Sequence, residues 1–138
     1  MKKVGLLLLL FVSLISCSNN DSDDKAMSTD YFGKWELFIN SKYVDTSINK
    51  PNLFYTINKD NTFIKTSIYN GVTTTASGTF TVRTDKMGTY FIFNYKEQSS
   101  LIANCTGGLV ENLFLDESGY LNQNLPSCDS FEKYKKAK

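Results

Sequence analysis

Apolar and polar residues alternate along most of the chain from Tyr31 onward, and turn residues recur at intervals of roughly eight to twelve positions. A period of two places successive side chains on opposite faces, which is typical of half-buried β-strands and not of helices. The pattern therefore predicts strands over residues 34–39, 53–57, 62–69, 72–83, 89–95, 109–115 and 120–121.

The turn residues divide these strands and leave some segments ambiguous. Asn70-Gly71 is a strong signal for a two-residue hairpin. Gly78, inside a threonine-rich strand, indicates a bulge or a bend. Residues 101–105 are compatible with a short strand, and residues 127–136 with a final strand or a short helix, the aromatic spacing favouring the helix slightly.

The order of these elements predicts an all-β domain. No segment resembles a crossover helix, so consecutive strands should pair antiparallel in a meander. A sheet of short strands must protect its edges, and closure into a barrel does so most completely. We therefore expect an antiparallel up-and-down barrel of about eight strands, in preference to a sandwich.

The first 16 residues are laid out as a secretory signal peptide, with a cationic start and an apolar run over residues 4–15. This run is shorter than the roughly 20 residues that cross a bilayer, although a short membrane anchor is the alternative. Leu-Ile-Ser-Cys at 14–17 resembles the lipobox of bacterial lipoproteins. That resemblance implies cleavage before Cys17, lipidation of its thiol, and attachment to a membrane through the lipid.

Residues 17–30 are polar and lack apolar periodicity, as expected of a flexible tether. The acidic cluster of Asp21, Asp23 and Asp24 resembles the export signal of surface lipoproteins in the Bacteroidetes group. The alternative is a solvated tether that faces the periplasm. The resemblance implies an outer-membrane lipoprotein, either surface-exposed or periplasm-facing.

Composition argues against catalysis and nucleic-acid binding. The chain has 15 basic and 14 acidic residues and no histidine; without Lys2 and Lys3 the balance is 13 to 14. A near-neutral chain lacks the basic stripe that nucleic acid requires. The absence of histidine removes the usual general base and the commonest metal ligand. We expect no enzyme, no catalytic residues, no metal and no cofactor; Glu111, the carboxylate inside an apolar run, is expected to face outward or to lie at a barrel rim.

With Cys17 assigned to the lipid, Cys105 and Cys128 remain. In an exported domain, two such cysteines most simply form a disulfide. A disulfide that closes the loop of about 23 residues between them would contribute about 3 kcal/mol to stability on the chain-entropy model. Two free thiols or a metal-binding pair are the alternatives.

The opening of the domain, Gly33-Lys34-Trp35, resembles the Gly-x-Trp first strand of lipocalin-like domains. Two later motifs, the NKDNTF turn at 58–63 and the SGTFTV strand at 77–82, resemble those of small lipocalin-like lipoproteins of the Bacteroidetes. The similarity covers roughly residues 31–131 of a domain placed at 31–138. It implies that Trp35 closes one end of the barrel. The family commonly packs a late-strand arginine on this tryptophan, but Arg83 is the sole arginine and lies mid-sequence, so Lys133 or Lys135 would have to replace it, or nothing does.

Two non-enzymatic functions follow. The first is a barrel that holds a small hydrophobic ligand; its lining would be Trp35, Phe54, Phe63, Phe80, Phe91, Phe93 and Leu113. The second is a protein-interaction module, an inhibitor or an accessory subunit of a surface complex, that acts through loops 41–52 and 99–108. An interior cavity smaller than about 300 Å³ would argue against ligand carriage.

Overall fold

The computed structural model describes residues 30–40, 50–123 and 131–138, and these form a closed antiparallel barrel in the order β1 to β8. The strands are β1 Gly33–Asn40, β2 Asn52–Ile57, β3 Thr62–Tyr69, β4 Val72–Asp85, β5 Gly88–Tyr95, β6 Val110–Leu115, β7 Tyr120–Gln123 and β8 Glu132–Lys136. The predicted all-β, eight-stranded barrel is confirmed. No helix in the described part of the chain is long and apolar enough to cross a membrane.

Each strand pairs with the next in sequence, and β1 also pairs with β8, which removes both sheet edges. Alternation assigns every second side chain to the interior, as in β2, where Leu53, Tyr55 and Ile57 are buried between partly exposed neighbours. Positive φ values at Asn70 and Gly71 fit the tight hairpin between β3 and β4 that their sequence predicted. The sequence pattern and the turn chemistry therefore specify the same topology.

The barrel has two different ends. Trp35 lies near the start of β1 at the lower end, where Tyr31 and Phe32 pack against the core. The hairpin at 70–71 and the loop over residues 96–109 lie at the upper end. At the lower end, the Lys136 ammonium donates a hydrogen bond to the carbonyl oxygen of Asp30, the first described residue, and forms an ion pair with its carboxylate. Asp30 therefore lies at the lower end of the barrel.

Three local predictions differ from the structure. Residues 101–105 form turns and irregular backbone instead of a strand. The final segment is a strand, Glu132–Lys136, since its inward residues Glu132 and Tyr134 continue the barrel alternation; residues 127–130 lie outside the described ranges. Gly78 is not a bulge, because pairing runs through it without a register shift, and the register shift that does occur lies between Leu37 and Ile39. The alternative at Gly78, a bend, stays a prediction.

Gly78 is required because neighbouring atoms occupy the place of a side chain. A Cβ there would lie 1.9 Å from the Asn94 carbonyl oxygen and 2.9 Å from the Phe63 ring. We expect Gly78→Ala to lower the free energy of unfolding by about 3 kcal/mol, the upper range for overpacking. Urea denaturation measures this. Gly108→Ala is the matched control, because its Cβ would meet only the Thr106 side chain at 3.7 Å; equal losses in both variants would contradict the argument.

Candidate functional site

Most residues predicted to line a ligand cavity do lie inside the barrel. The buried ones are Trp35, Phe63, Phe80, Phe91, Phe93 and Leu113. Their rings contact one another: the Phe63 centroid is 4.6 Å from that of Phe93, in an edge-to-face arrangement, and Phe80 is 5.8 Å from Phe93. Tyr31 reaches in from the lower end to within 5.1 Å of Phe91. The structure thus brings the predicted set together as a packed aromatic cluster.

The aromatic cluster leaves no space against its central members. Phe63, Phe91, Phe93 and Leu113 have 0% relative exposure. A cavity large enough for one water molecule would expose part of the side chains that line it, so no such cavity touches these four residues. The described interior at this level is filled by the protein itself.

Phe54 differs from the rest of the predicted set, because it lies on the outside of the barrel. It alternates with the buried Leu53 and Tyr55, and it is only partly buried. The Lys34 ammonium lies 4.3 Å from its ring centroid, a cation–π contact on the outer surface. Phe54 could therefore not line an interior cavity.

Trp35 is held at the lower end of the barrel as the resemblance implied. It is 3% exposed, and its indole Nε1 donates a hydrogen bond of 2.8 Å to the Tyr31 carbonyl oxygen. Neither lysine proposed as an arginine substitute reaches it: the ammonium of Lys133 lies over Tyr120 and that of Lys135 over Phe38, both on the outer surface. The residue opposite Trp35 on β8 is Lys136.

A layer of polar groups crosses the barrel interior above the aromatic cluster. Lys65 Nζ donates to Glu111 Oε1 at 3.0 Å and lies 3.5 Å from Glu132 Oε2. The Tyr95 hydroxyl donates to Glu111 Oε2, and the Tyr134 hydroxyl to Glu132 Oε2 at 2.5 Å. Lys65 and Glu111 are 1% and 0% exposed. The expectation that Glu111 faces outward or lies at a rim was therefore wrong, since a lysine and a tyrosine satisfy it inside.

The tyrosines of this polar layer are held in their neutral form. Burial is the main reason why the pKa values of Tyr55, Tyr95 and Tyr134 are raised far above 10. The nearby carboxylates of Glu111 and Glu132 raise them further, because a phenolate would be repelled. The Tyr55 hydroxyl is buried without a hydrogen-bond partner among the described residues.

The loop over residues 96–109 covers part of the upper end. Leu101 and Ile102 pack against the core, and Gln123 Nε2 donates to the Ala103 carbonyl oxygen at 2.5 Å. Cys105 is exposed in this loop, whereas Cys128 lies outside the described residues, so their disulfide stays a prediction. Cys17, the signal peptide and residues 41–49 of the proposed interaction loop 41–52 also lie outside them.

Charge is distributed unevenly around the barrel's outer surface. On β1, β7 and β8 the outward positions include Lys34, Glu36, Lys133 and Lys135. On β2 to β6, all fully described, the outward positions hold glycine, threonine, serine, asparagine, isoleucine, valine, phenylalanine and tyrosine. The exceptions there are Arg83 and Asp85, which pair with each other at 3.4 Å. We call the outward residues of β2 to β6, from 52 to 114, the uncharged face.

The uncharged face contains a recess of about 400 Å³. Its exposed lining is Arg83, Tyr90, Ile92 and Asn112, from strands β4, β5 and β6, and the buried Phe91 lies behind them with no exposed area. The Arg83 guanidinium lies 5.1 Å from the Tyr90 ring centroid. The side chain of Phe91, between Tyr90 and Ile92 in β5, is buried in the barrel interior. The sequence prediction missed Arg83, Tyr90, Ile92 and Asn112 as a site, and it assigned Phe91 to an interior cavity. The available signal was a run of strands with few charges at their alternate positions.

The described residues offer no group of three or more histidine, cysteine, aspartate or glutamate side chains suited to a metal ion. Comparison with known proteins gave no match to any family model, to any curated protein or to any solved structure.

Proposed function

We propose that this protein is a lipid-anchored, non-enzymatic binding module of the cell envelope, which holds an uncharged partner on its uncharged face. The observation that carries the proposal is the exclusion of net charge from the outward positions of β2 to β6. A soluble surface usually has about 25–35% charged residues. Binding surfaces lose charge at their centres, since a charge that is dehydrated without a partner is costly.

The packed interior supports binding on the outer surface over carriage of a hydrophobic ligand. The aromatic residues that would line a carrier's cavity contact each other and have no exposed area at the centre of the barrel. A ligand there would have to displace several buried rings. The polar layer above them, with Lys65 bonded to Glu111, is likewise closed to solvent, and this supports a function without catalysis.

The attachment geometry suits a side-facing binding surface. In this proposal Cys17 carries the lipid, and the segment that follows it connects the lipid to Asp30. It joins the barrel at the lower end, where Lys136 holds Asp30. The loop end then points away from the point of attachment, and the side of the barrel that bears the uncharged face stays accessible.

A charge placed on the uncharged face should abolish binding. We expect Thr79→Glu, an exposed position on β4, to reduce retention of the chain on envelope material from its own cells at least about tenfold, because the carboxylate would be dehydrated without a partner. The test uses the mature chain with Cys17→Ser, which keeps membrane insertion of the lipid out of the measurement, and co-sedimentation as the readout.

Thr106→Glu is the matched control, since it places the same charge on the exposed upper loop. It should leave retention unchanged. Loss with Thr106→Glu and none with Thr79→Glu would move the binding surface to the loop, and no retention of the wild type would contradict the proposal. A hydrophobic passenger found at one per chain in native mass spectra would also contradict it.

A further inference from the structure

We infer that the recess around Tyr90, Ile92 and Asn112 binds a sugar residue of an uncharged saccharide. The inference rests on the proposed function and names its ligand. It depends on three properties of the recess: free hydrogen-bonding groups, balanced charge, and an apolar floor.

The polar groups of the recess are available to a ligand. Asn112 is half-buried, and neither its amide nor the Tyr90 hydroxyl forms a side-chain hydrogen bond with another residue in the described ranges. An asparagine amide offers two donors and an acceptor, and a tyrosine hydroxyl can both donate and accept. Sugar hydroxyls also donate and accept, so adjacent hydroxyls on one ring can satisfy such a pair of side chains.

The charge of the recess is balanced before any ligand binds. Arg83 Nη2 lies 3.4 Å from Asp85 Oδ2, and an anionic ligand would have to compete with this carboxylate. The guanidinium retains donors beyond those used by one partner, so it can still bond a neutral oxygen. Because no second cation lies at the outward positions of β2 to β6, the recess is suited to a neutral ligand and not to a phosphate or a carboxylate.

The floor of the recess is apolar. Ile92 is 37% exposed between Tyr90 and Asn94 on the outer side of β5. The Tyr90 ring lies 5.1 Å from that of Phe114, which fixes the wall beside it. A sugar ring has C–H groups on its faces and hydroxyls at its edge, so it can place the former over Ile92 and the latter toward Asn112. The volume, about 400 Å³, falls within the range of small-ligand sites.

The surroundings of the recess favour a saccharide over a protein partner. Protein interfaces depend on aromatic or arginine anchors that are free to enter a partner's pockets, whereas Arg83 and Tyr90 contact each other along the recess wall. Here the outward positions beside the recess on β4 are Thr79 and Thr81, both exposed and short. They extend a shelf of hydroxyls on a convex surface, which can bond further sugar residues but offers little area for packing against a second convex protein.

The test is affinity electrophoresis of the mature chain, with Cys17→Ser, in gels that contain dextran, mannan or a soluble β-glucan, and in a gel with polygalacturonate as the acidic probe. We expect retardation by at least one neutral polysaccharide. Asn112→Ala and Tyr90→Phe should each weaken it about five- to tenfold, the effect of losing one or two hydrogen bonds. Lys135→Ala on the opposite side of the barrel is the control and should not change it; thermal unfolding verifies that each variant is folded.

Retardation by polygalacturonate alone, or by none of the four polymers, would overturn the saccharide inference. Equal weakening by Lys135→Ala would also overturn it. These failures differ from failure of the proposed function: if no polymer retards the chain but Thr79→Glu still abolishes retention on envelope material, the uncharged face binds another kind of neutral partner.

Discussion

Replacement of Lys65 by methionine is expected to lower the free energy of unfolding by about 3–5 kcal/mol, although methionine fits a similar volume and is apolar. Lys65 is 1% exposed and supplies the cation between Glu111 and Glu132. Removing one partner of a buried ion pair leaves the other charge uncompensated at low dielectric, and this costs more than the pair contributes when intact. Urea denaturation at neutral pH measures the change.

The double variant Lys65→Met with Glu111→Gln separates this effect from lost packing. Because it removes Glu111, the more deeply buried of the two carboxylates that Lys65 compensates, we expect it to recover about 2 kcal/mol relative to Lys65→Met alone. Lys96→Met, at an exposed position just after β5, should change stability by no more than about 0.5 kcal/mol. If the double variant were as unstable as the sum of its single variants, the two side chains would not be coupled.

The strands and their inward faces could be predicted because they depend on local information. In β5, Phe91 and Phe93 alternate with Tyr90 and Ile92, and the structure buries the former and exposes more of the latter. A side-chain period of two requires no knowledge of the rest of the chain. The prediction that Phe54 faces the interior was wrong for a related reason. In a run of apolar residues, the neighbouring strands decide which alternate residues face inward, and the local sequence does not show it.

The polar layer could not be predicted from local pattern. Lys65 shares its face with Phe63, so alternation placed a lysine in the interior, but its partner Glu111 is 46 positions away. Only closure of the barrel brings β3 and β6 to face each other across the interior. Glu111 alone suggested an outward or rim position, since buried charges are rare without partners, and the pairing itself is a tertiary property.

The uncharged face follows from the same closure. Outward threonines on β3 and β4 are ordinary strand residues when each segment is considered alone. Their significance lies in adjacency: β2 to β6 are neighbours in the barrel, so their uncharged positions merge, whereas Lys34, Lys133 and Lys135 gather on β1 and β8. The sequence contains both distributions, but strand order decides that they lie on different sides.

Alkaline pH is expected to unfold the barrel steeply. The pKa values of Tyr55, Tyr95 and Tyr134 are raised in the folded state, first by burial and then by nearby carboxylates. Above pH 10 the unfolded chain releases phenolic protons that the folded chain retains, so stability is complete below that pH and decreases above it. Each tyrosine contributes about 1.4 kcal/mol per pH unit, and the three together about 4 kcal/mol. The tyrosinate absorbance of these three residues should therefore appear only together with loss of the β-sheet circular dichroism signal.

Tyr55→Phe tests the assignment of this slope to the buried hydroxyls. Its buried hydroxyl makes no hydrogen bond of ordinary geometry among the described residues, although it lies close enough to the Tyr95 hydroxyl to lower the pKa of Tyr95. Its removal should therefore change stability at neutral pH by no more than about 1 kcal/mol and reduce the alkaline slope by about 1.4 kcal/mol per pH unit. Tyr69→Phe is the control, since Tyr69 is 45% exposed and should affect neither quantity. An unchanged slope in Tyr55→Phe, or tyrosinate absorbance that titrates fully near pH 10 while the sheet remains folded, would mean that solvent reaches these hydroxyls and that the interior is not closed.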